Sequence, residues 1–228
     1  LRGAASAHDP WYVCQRESLC DSPALEAASA AALAQSGLGL EELTHIDLYS
    51  CFPSAVQVAC RALGLSVDDP RGLTVTGGLT LFGGPGNNYS LHAIAEMVQR
   101  LRATPDGAGL VTANGGYLTK HAVGVYASTA GAEPWTPGDD AALQAVLDER
   151  PRPELVAEGD GRFLIEGHAV TYQGGEPSAA ILVGRLAGGE RCAATSRDSV
   201  VMERLIQENC VAVHGTVTHS EGVNTFAF

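Results

Sequence analysis

Thr74 to Arg102 reads TVTGGLTLFGGPGNNYSLHAIAEMVQRLR, and in it ordinary secondary-structure grammar collides with surplus glycine. A short apolar, strand-like run crosses Gly77-Gly78 and stops at Gly83-Gly84-Pro85-Gly86. A helix then begins, its apolar residues Leu91, Ile94, Met97, Val98 and Leu101 recurring at three- and four-residue spacing. Asn87, Asn88 or Ser90 is placed to cap it. A helix start offers unpaired N–H groups and the positive end of the macrodipole, and glycines before it keep side chains out of a ligand's way. That is the grammar of an anion or oxyanion site, set against the plainer reading of a turn between strand and helix. Neither familiar phosphate loop fits: a dinucleotide fingerprint requires glycine or alanine where Tyr89 stands, and the Gly-Lys-Ser/Thr of a P-loop is absent.

Outward from this stretch the chain alternates helix and strand. Leu1 to Ser22 is strand and loop with little periodicity. Ser22-Pro23 opens an alanine-rich helix that Gly37 ends. His45 to Tyr49 reads as a short strand and Cys51 to Leu63 as an amphipathic helix closed by Gly64. Asn114-Gly115 carries the strongest short-range hairpin signal, with strands in the flanking runs GLVTA and YLTKHAVGVY. This order predicts a layered α/β fold over residues 1–130. After Tyr126 the composition turns small, acidic and rich in Pro and Gly (STAGAEPWTPGDD), as at a domain boundary. A helix near 139–149, a Pro151-Arg152-Pro153 break and a series of short β-rich runs around a helix capped by Asp198 follow. They predict a small OB-like β domain over residues 131–228.

With 228 residues, 45% hydrophobic and 18% charged, the composition is that of an ordinary globular protein. The formal net charge of −12 argues against nucleic acid or an anionic membrane as a general partner. No apolar run is long enough to span a bilayer, and the N-terminus lacks a charged-then-apolar signal. Cys14, Cys20, Cys51, Cys60, Cys192 and Cys210 form no Cys-x-x-Cys pair and have no histidines at ligand spacing. Reduced, mostly buried thiols, no metal site and a cytoplasmic location are therefore expected.

Three stretches, in chain order, resemble the thiolases. His45 to Gln57, HIDLYSCFPSAVQ, is similar to the thiolase "Asp-Ile-Asp, then His-or-Asn-Glu-Ala-Phe" segment, and closer to the His-Asp-Cys-Phe version of the sterol-carrier-protein-x type. GGLTLFGGPGNNYS resembles the segment in which a paired glycine precedes Gly-His-Pro and a glycine-rich helix start, with Gly84 at the histidine position. Val111 to Tyr126, VTANGGYLTKHAVGVY, resembles the Cys-x-Gly-Gly-Gly hairpin. The resemblance implies the C-terminal half of a thiolase-like layered α/β fold, with an additional C-terminal domain like that of certain actinobacterial thiolase-like proteins. The half bearing the nucleophilic cysteine would precede Leu1, in the same or a separate chain, and the residues in hand would expose a large apolar surface without it.

The resemblance further implies a coenzyme A thioester as substrate, with no covalently bound cofactor. Gly83, Gly84, Asn87, Asn88, Gly115 and Gly116 would bind it, and Tyr49 and Asn114 would be the catalytic candidates. Three standard roles have changed: Gly84 cannot be a base, Tyr49 stands where His or Asn is usual, and Ala113-Asn114 replaces the hairpin cysteine. A phenol at Tyr49 can donate to an oxyanion or, with its pKa depressed, accept a proton; it can equally pack on the core. Cys51 is expected to pack in the core, and His92 to cap or pack. Lys120 and His121 alternate on a strand, so one of them faces solvent. Three readings stay open: an acyl-CoA acyltransferase of lipid, fatty-acid or sterol metabolism, an acyl-CoA retro-aldolase, and a non-catalytic acyl-CoA- or lipid-binding protein. A homodimer or a partner protein held through the C-terminal domain goes with any of them.

Overall fold

The computed structural model describes residues 1–131 and 134–228; Ala132 and Glu133, in the expected boundary stretch, lie outside the described residues. Two units form, one from Leu1–Trp11 with Cys20–Arg150 and the other from Tyr12–Leu19 with Pro151–Phe228.

In the first unit local signals set the helices. Ser22 caps α1 (Pro23–Ser36), its side chain accepting the Leu25 N–H, and Gly37 closes the helix at φ 69°. Gly64 closes α2 (Pro53–Leu63) at φ 70°. The sheet runs β1-β4-β3-β2 (β1 Gly3–His8, β2 His45–Asp47, β3 Ala108–Gly115, β4 Lys120–Ala127), parallel only between β2 and β3. Strand periodicity splits its faces. Leu110, Val123 and Val125 join Ala5, Ala7 and Ile46 against Ala24, Ala28 and Ala32 of α1 and Ala59 and Cys60 of α2. Val111 and Tyr126 point the other way, to Tyr89, Ala93, Met97 and Leu101 of α4 (Tyr89–Ala103). The result is a helix–sheet–helix sandwich in which each fully buried large apolar side chain contributes roughly 1.5–3 kcal/mol.

The edge strand β1 is sealed by side chains. N–H groups of Ala4, Ser6 and His8 donate to Gln35, Asp140 and Gln144 at 3.2, 3.1 and 2.8 Å, and Gln144 returns a bond to the His8 carbonyl at 3.1 Å. Two of these come from α5 (Asp140–Asp148), whose Leu143 and Leu147 pack on the first core. The helix expected near 139–149 thus belongs to the first unit, and the division falls at Arg150/Pro151 rather than at 130/131.

Two local expectations are corrected. The strand-like run around Gly77-Gly78 forms no strand; Gly78 and Gly83, at φ 87° and 74°, bracket a single helical turn, α3 (Leu79–Phe82). The Val75 N–H that a ladder would need is taken by the Asp47 carboxylate at 2.9 Å. Asn114-Gly115 does not turn either, since both pair within the sheet, opposite His121 and Lys120. Reversal comes over residues 116–119, with Gly116 at φ 68° and Leu118 at φ 53°. The Thr119 carbonyl accepts the Asp9 N–H at 2.8 Å, which holds that register.

The second unit closes five strands into a barrel ordered β5-β6-β7-β9-β8 (β5 Gly161–Gln173, β6 Glu176–Leu186, β7 Arg191–Ser196, β8 His214–Ser220, β9 Val223–Ala227). β7 and β9 run parallel, and α6 (Ser199–Gln207), capped by Asp198, lies between β7 and β8 in sequence. That is the OB-like arrangement. Phe163, Ile165, Leu182, Val217 and Phe226 fill it, with Val201, Met202 and Leu205 of α6. Arg191, fully buried, donates to Glu166 at 2.6 and 3.0 Å and to the carbonyls of Cys14, Arg16 and Glu17. This cation is why residues 12–19 count with the barrel. Cys60, Cys192 and Cys210 are buried as expected, but Cys20 and Cys51 are exposed. Among the described residues no helix is long and apolar enough to cross a membrane.

Replacing Arg191 by Met leaves Glu166 with Arg185 alone and takes the donor from three carbonyls. Arg191→Met is expected to lower stability by roughly 3 kcal/mol in urea unfolding and to raise hydrogen exchange across residues 12–19. An unchanged midpoint and unchanged protection there would refute the clamp.

Candidate functional site

The floor of the site is built on Asp47, the last residue of β2, which is wholly buried. Its carboxylate accepts from the Val75 N–H and Thr74 Oγ1, each at 2.9 Å, and from the Tyr89 hydroxyl at 3.0 Å. Burial, the largest influence, nonetheless pushes this carboxyl above its ordinary value. Tyr89 Oη also meets Thr76 Oγ1 at 2.7 Å. The two threonines in turn accept the N–H groups of Gly77 (3.0 Å, Thr74) and Gly78 (2.9 Å, Thr76), and Ser50 Oγ accepts that of Leu79 at 3.0 Å. The N–H groups of the first glycine pair are therefore spent inside the loop, and the anion-binding grammar applies only to the first turn of α4.

Gly83, Gly84 and Asn88 likewise serve the loop and do not line the cleft. His92 takes the capping role expected of it: Nδ1 lies 3.3 Å from the Gly83 carbonyl, which it reaches as a donor, leaving Nε2 to accept from Asn88 Nδ2 at 3.3 Å. A Cβ at Gly84 would stand 2.8 Å from the Tyr89 Cβ and 3.2 Å from a Leu79 methyl, so no larger residue fits there without moving α4.

The structure brings the other five together. Tyr49, Asn87, Asn114, Gly115 and Gly116 line one cleft of about 750 Å³, with Ser90, Lys120 and His121. A larger hollow, about 970 Å³, lies beside Leu1 and Arg2 and holds none of the expected residues. Tyr49 is half-buried, its N–H donated to Thr112 Oγ1 at 2.9 Å and its ring edge-on to Tyr89 at 5.4 Å. Burial first, and the Cys51 thiol second, push the Tyr49 phenol above its ordinary value. That direction is opposite to the depressed value a base at Tyr49 would need, and it suits a hydroxyl donor. Cys51 does not pack in the core; it is exposed at the start of α2 and accepts from Asn114 Nδ2 at 3.3 Å. Among the described residues no group of three or more His, Cys, Asp or Glu is placed to hold a metal.

Of the Lys120–His121 pair, the histidine is the inward one, 4% exposed. Its Nε2 lies 3.0 Å from Ser22 Oγ, 3.2 Å from the Leu118 carbonyl and 3.6 Å from Asp9 Oδ2, while Ser22 Oγ donates to Asp9 Oδ2 at 2.5 Å. Sequence reading missed this knot. Its only signal is Asp9 in the otherwise unperiodic opening.

With this geometry described, the chain can be set beside known proteins. Residues 142–222 match the family model for the additional C-terminal domain of thiolase-like protein type 1. The whole chain is similar to a monomeric SCP2-thiolase-like protein type 1 from Mycobacterium smegmatis, at 38% identity and TM-score 0.92. The match covers 100% of this chain and 50% of that one, so the chain spans about half the length of the structure it matches. The peroxisomal 3-ketoacyl-CoA thiolase of Saccharomyces cerevisiae matches at TM-score 0.36 and 18% identity, over 44% of this chain and 28% of that one, and carries no argument. No curated protein matches.

Two tests follow from the packing. Gly84→His should lower stability by about 1–3 kcal/mol through overpacking and restore no base, read as a fall in Tm; an unshifted Tm would show that the site has room. For Asp9, burial alone would raise the carboxyl, but hydrogen bonds from His121, Ser22 and the Ala24 N–H prevail and hold it below 3.8. A depressed carboxyl stabilises above its unfolded value, and the contribution is lost as pH falls below 3.8 through the lower folded value. Asp9→Asn should accordingly be less stable at pH 7 and show a shallower acid limb in urea unfolding; parallel curves for the two proteins would contradict the knot.

Proposed function

From a chain that is thiolase-like and bears the additional C-terminal domain, we propose an acyl-CoA-binding half of a thiolase-like acyltransferase in which the usual thiol-activating side chain is gone. The observation that carries this reading is the convergence of Tyr49, Asn87, Ser90, Asn114, Gly115 and Gly116 on one cleft. A thioester held in this cleft would have the Tyr49 phenol, which burial keeps protonated, as a donor to its carbonyl oxygen as negative charge develops there. The first turn of α4 supplies N–H groups and its dipole to the anionic end of the ligand.

Packing at Gly84 favours a second reading beside acyl transfer. With no imidazole there, cleavage by an activated thiol loses its agent, whereas retro-aldol cleavage still uses a donor for the enolate oxygen, as Tyr49 provides. Exposed Phe52, Leu81, Phe82 and Leu91 form the apolar surface proposed to pack on the other half of the whole protein. The OB-like barrel is proposed as a module for docking a second copy or a partner, and the cytoplasm as the location.

Titration calorimetry with acetyl-CoA, beside thiolysis of acetoacetyl-CoA, tests the reading on wild type and Tyr49→Phe. Both should bind within about twofold of each other with thiolysis very slow, and any acyl-transfer or retro-aldol turnover should fall by roughly a hundredfold in the variant. Vigorous thiolysis in both would show the lost roles to be misassigned. Absence of acetyl-CoA binding would end the acyl-CoA reading.

A further inference from the structure

Lys120 is the only lysine in this sequence, and it lines the cleft, where no arginine joins it. Asp140, the acidic residue of the same cleft, is spent on Ser6, accepting its N–H at 3.1 Å and its hydroxyl at 2.6 Å. Among the described residues no carboxylate pairs with Lys120. Its ammonium lies 5.3 Å from the centre of the Trp11 ring, a contact that holds the cation and leaves its N–H groups for a ligand. In a chain of formal net charge −12, a cation left unneutralised in a concave site favours an anion there.

Strand alternation turns Lys120 into the cleft. It shares a face of β4 with Ala122, which also lines the cleft, and with Tyr126, where α4 covers that face. Its register partners are His8 on β1 and Gly115 on β3. A Cβ built on Gly115 would meet the Lys120 Cβ and Cε at 3.6 and 3.7 Å, so the lysine stem lies along Gly115 on the cleft side. His8, exposed and lining the same cleft, adds a ring N–H beside it. The start of α4, proposed above for the anionic end of the coenzyme, belongs to a helix that lies chiefly over β3, whereas Lys120 and His8 stand beyond it on β4 and β1.

We propose that Lys120, with His8, is a subsite for a carboxylate at the far end of the acyl chain, so that the cleft selects half-thioesters of dicarboxylic acids over neutral acyl chains of the same length. The inference rests on the acyl-CoA reading above and names the substrate class for it. A terminal carboxylate takes charge-assisted hydrogen bonds from the ammonium. A terminal methyl offers the ammonium no acceptor and displaces its water. A coenzyme phosphate carries the same anionic chemistry, and the test separates the two sources.

That test is calorimetric titration of the intact protein at low salt with succinyl-CoA and adipyl-CoA, set against butyryl-CoA and hexanoyl-CoA. At least one dicarboxylic ester should bind roughly fivefold tighter than the neutral ester of its length. Lys120→Gln should erase that advantage while the neutral esters bind as before, and Lys120→Arg should keep most of it. With the lysines 13C-methylated, which preserves their charge, the signal missing from Lys120→Arg should move on binding the tighter dicarboxylic ester and move much less with its neutral counterpart. If Lys120→Gln weakens all four esters alike, the ammonium serves a coenzyme phosphate and the proposal is overturned. If dicarboxylic and neutral esters bind the wild type alike, the subsite is refuted and the acyl-CoA reading stands. If none of the four binds, both fall together.

Discussion

A single buried carboxylate, Asp47, holds the first unit's site in shape. It sits where β2 ends, and its acceptors are filled by the glycine loop on one side and by the first residue of α4 on the other. Burying an anion is costly unless it is well hydrogen-bonded, and here three donors attend it while burial still pushes the group upward. The loop therefore cannot relax into a strand beside β2: doing so would take the Val75 N–H away from the charge. The placing of Tyr89 beneath Tyr49, and of the α4 start at the cleft, follows from that one constraint.

At Gly84, where the resemblance to thiolases implies a histidine, the structure leaves no room for one. The space an imidazole would occupy is taken by Tyr89 and Leu79, and Tyr89 is there because its hydroxyl serves Asp47. The closeness of Gly84 to Tyr89 and the support of the loop are thus one arrangement. Beside the charged Lys120 and Asp140, the cleft is lined by neutral donors and acceptors: a phenol, amides, a serine and a helix start.

How much of this was legible depended on the range of the signal. Ser22-Pro23 and Gly37, or the 3–4 spacing after Tyr89, act within a turn or two of themselves, and α1, α2 and α4 stand where they put them. A small OB-like β domain was readable from short β-rich runs around a capped helix, though not the split of residues 176–196 into two strands that makes five. Asn114-Gly115 misled because a turn signal is weak against a register held from outside, here by Asp9 and Thr119. Surplus glycine suggested that a ligand approaches the backbone of this stretch, but at Gly77, Gly78 and Leu79 the N–H groups are taken by Thr74, Thr76 and Ser50 folding over them. Cys51 was expected in the core by resemblance to the sterol-carrier-protein-x type, yet it lies exposed just before α2. Nothing local in Lys120-His121 says which of the two turns inward. That is decided by Asp9, more than a hundred residues away in sequence.

The sealed border of β1 bears on how this protein keeps to itself. An unpaired strand edge is a template on which another chain can build, and the outward N–H groups of Ala4, Ser6 and His8 would be such a template if left open. Here two glutamines and an aspartate imitate a neighbouring strand without being one. An incoming chain would have to evict three side chains from two helices before making its first ladder bond. On that border the sheet is finished, and fibril growth or strand exchange has nowhere to begin.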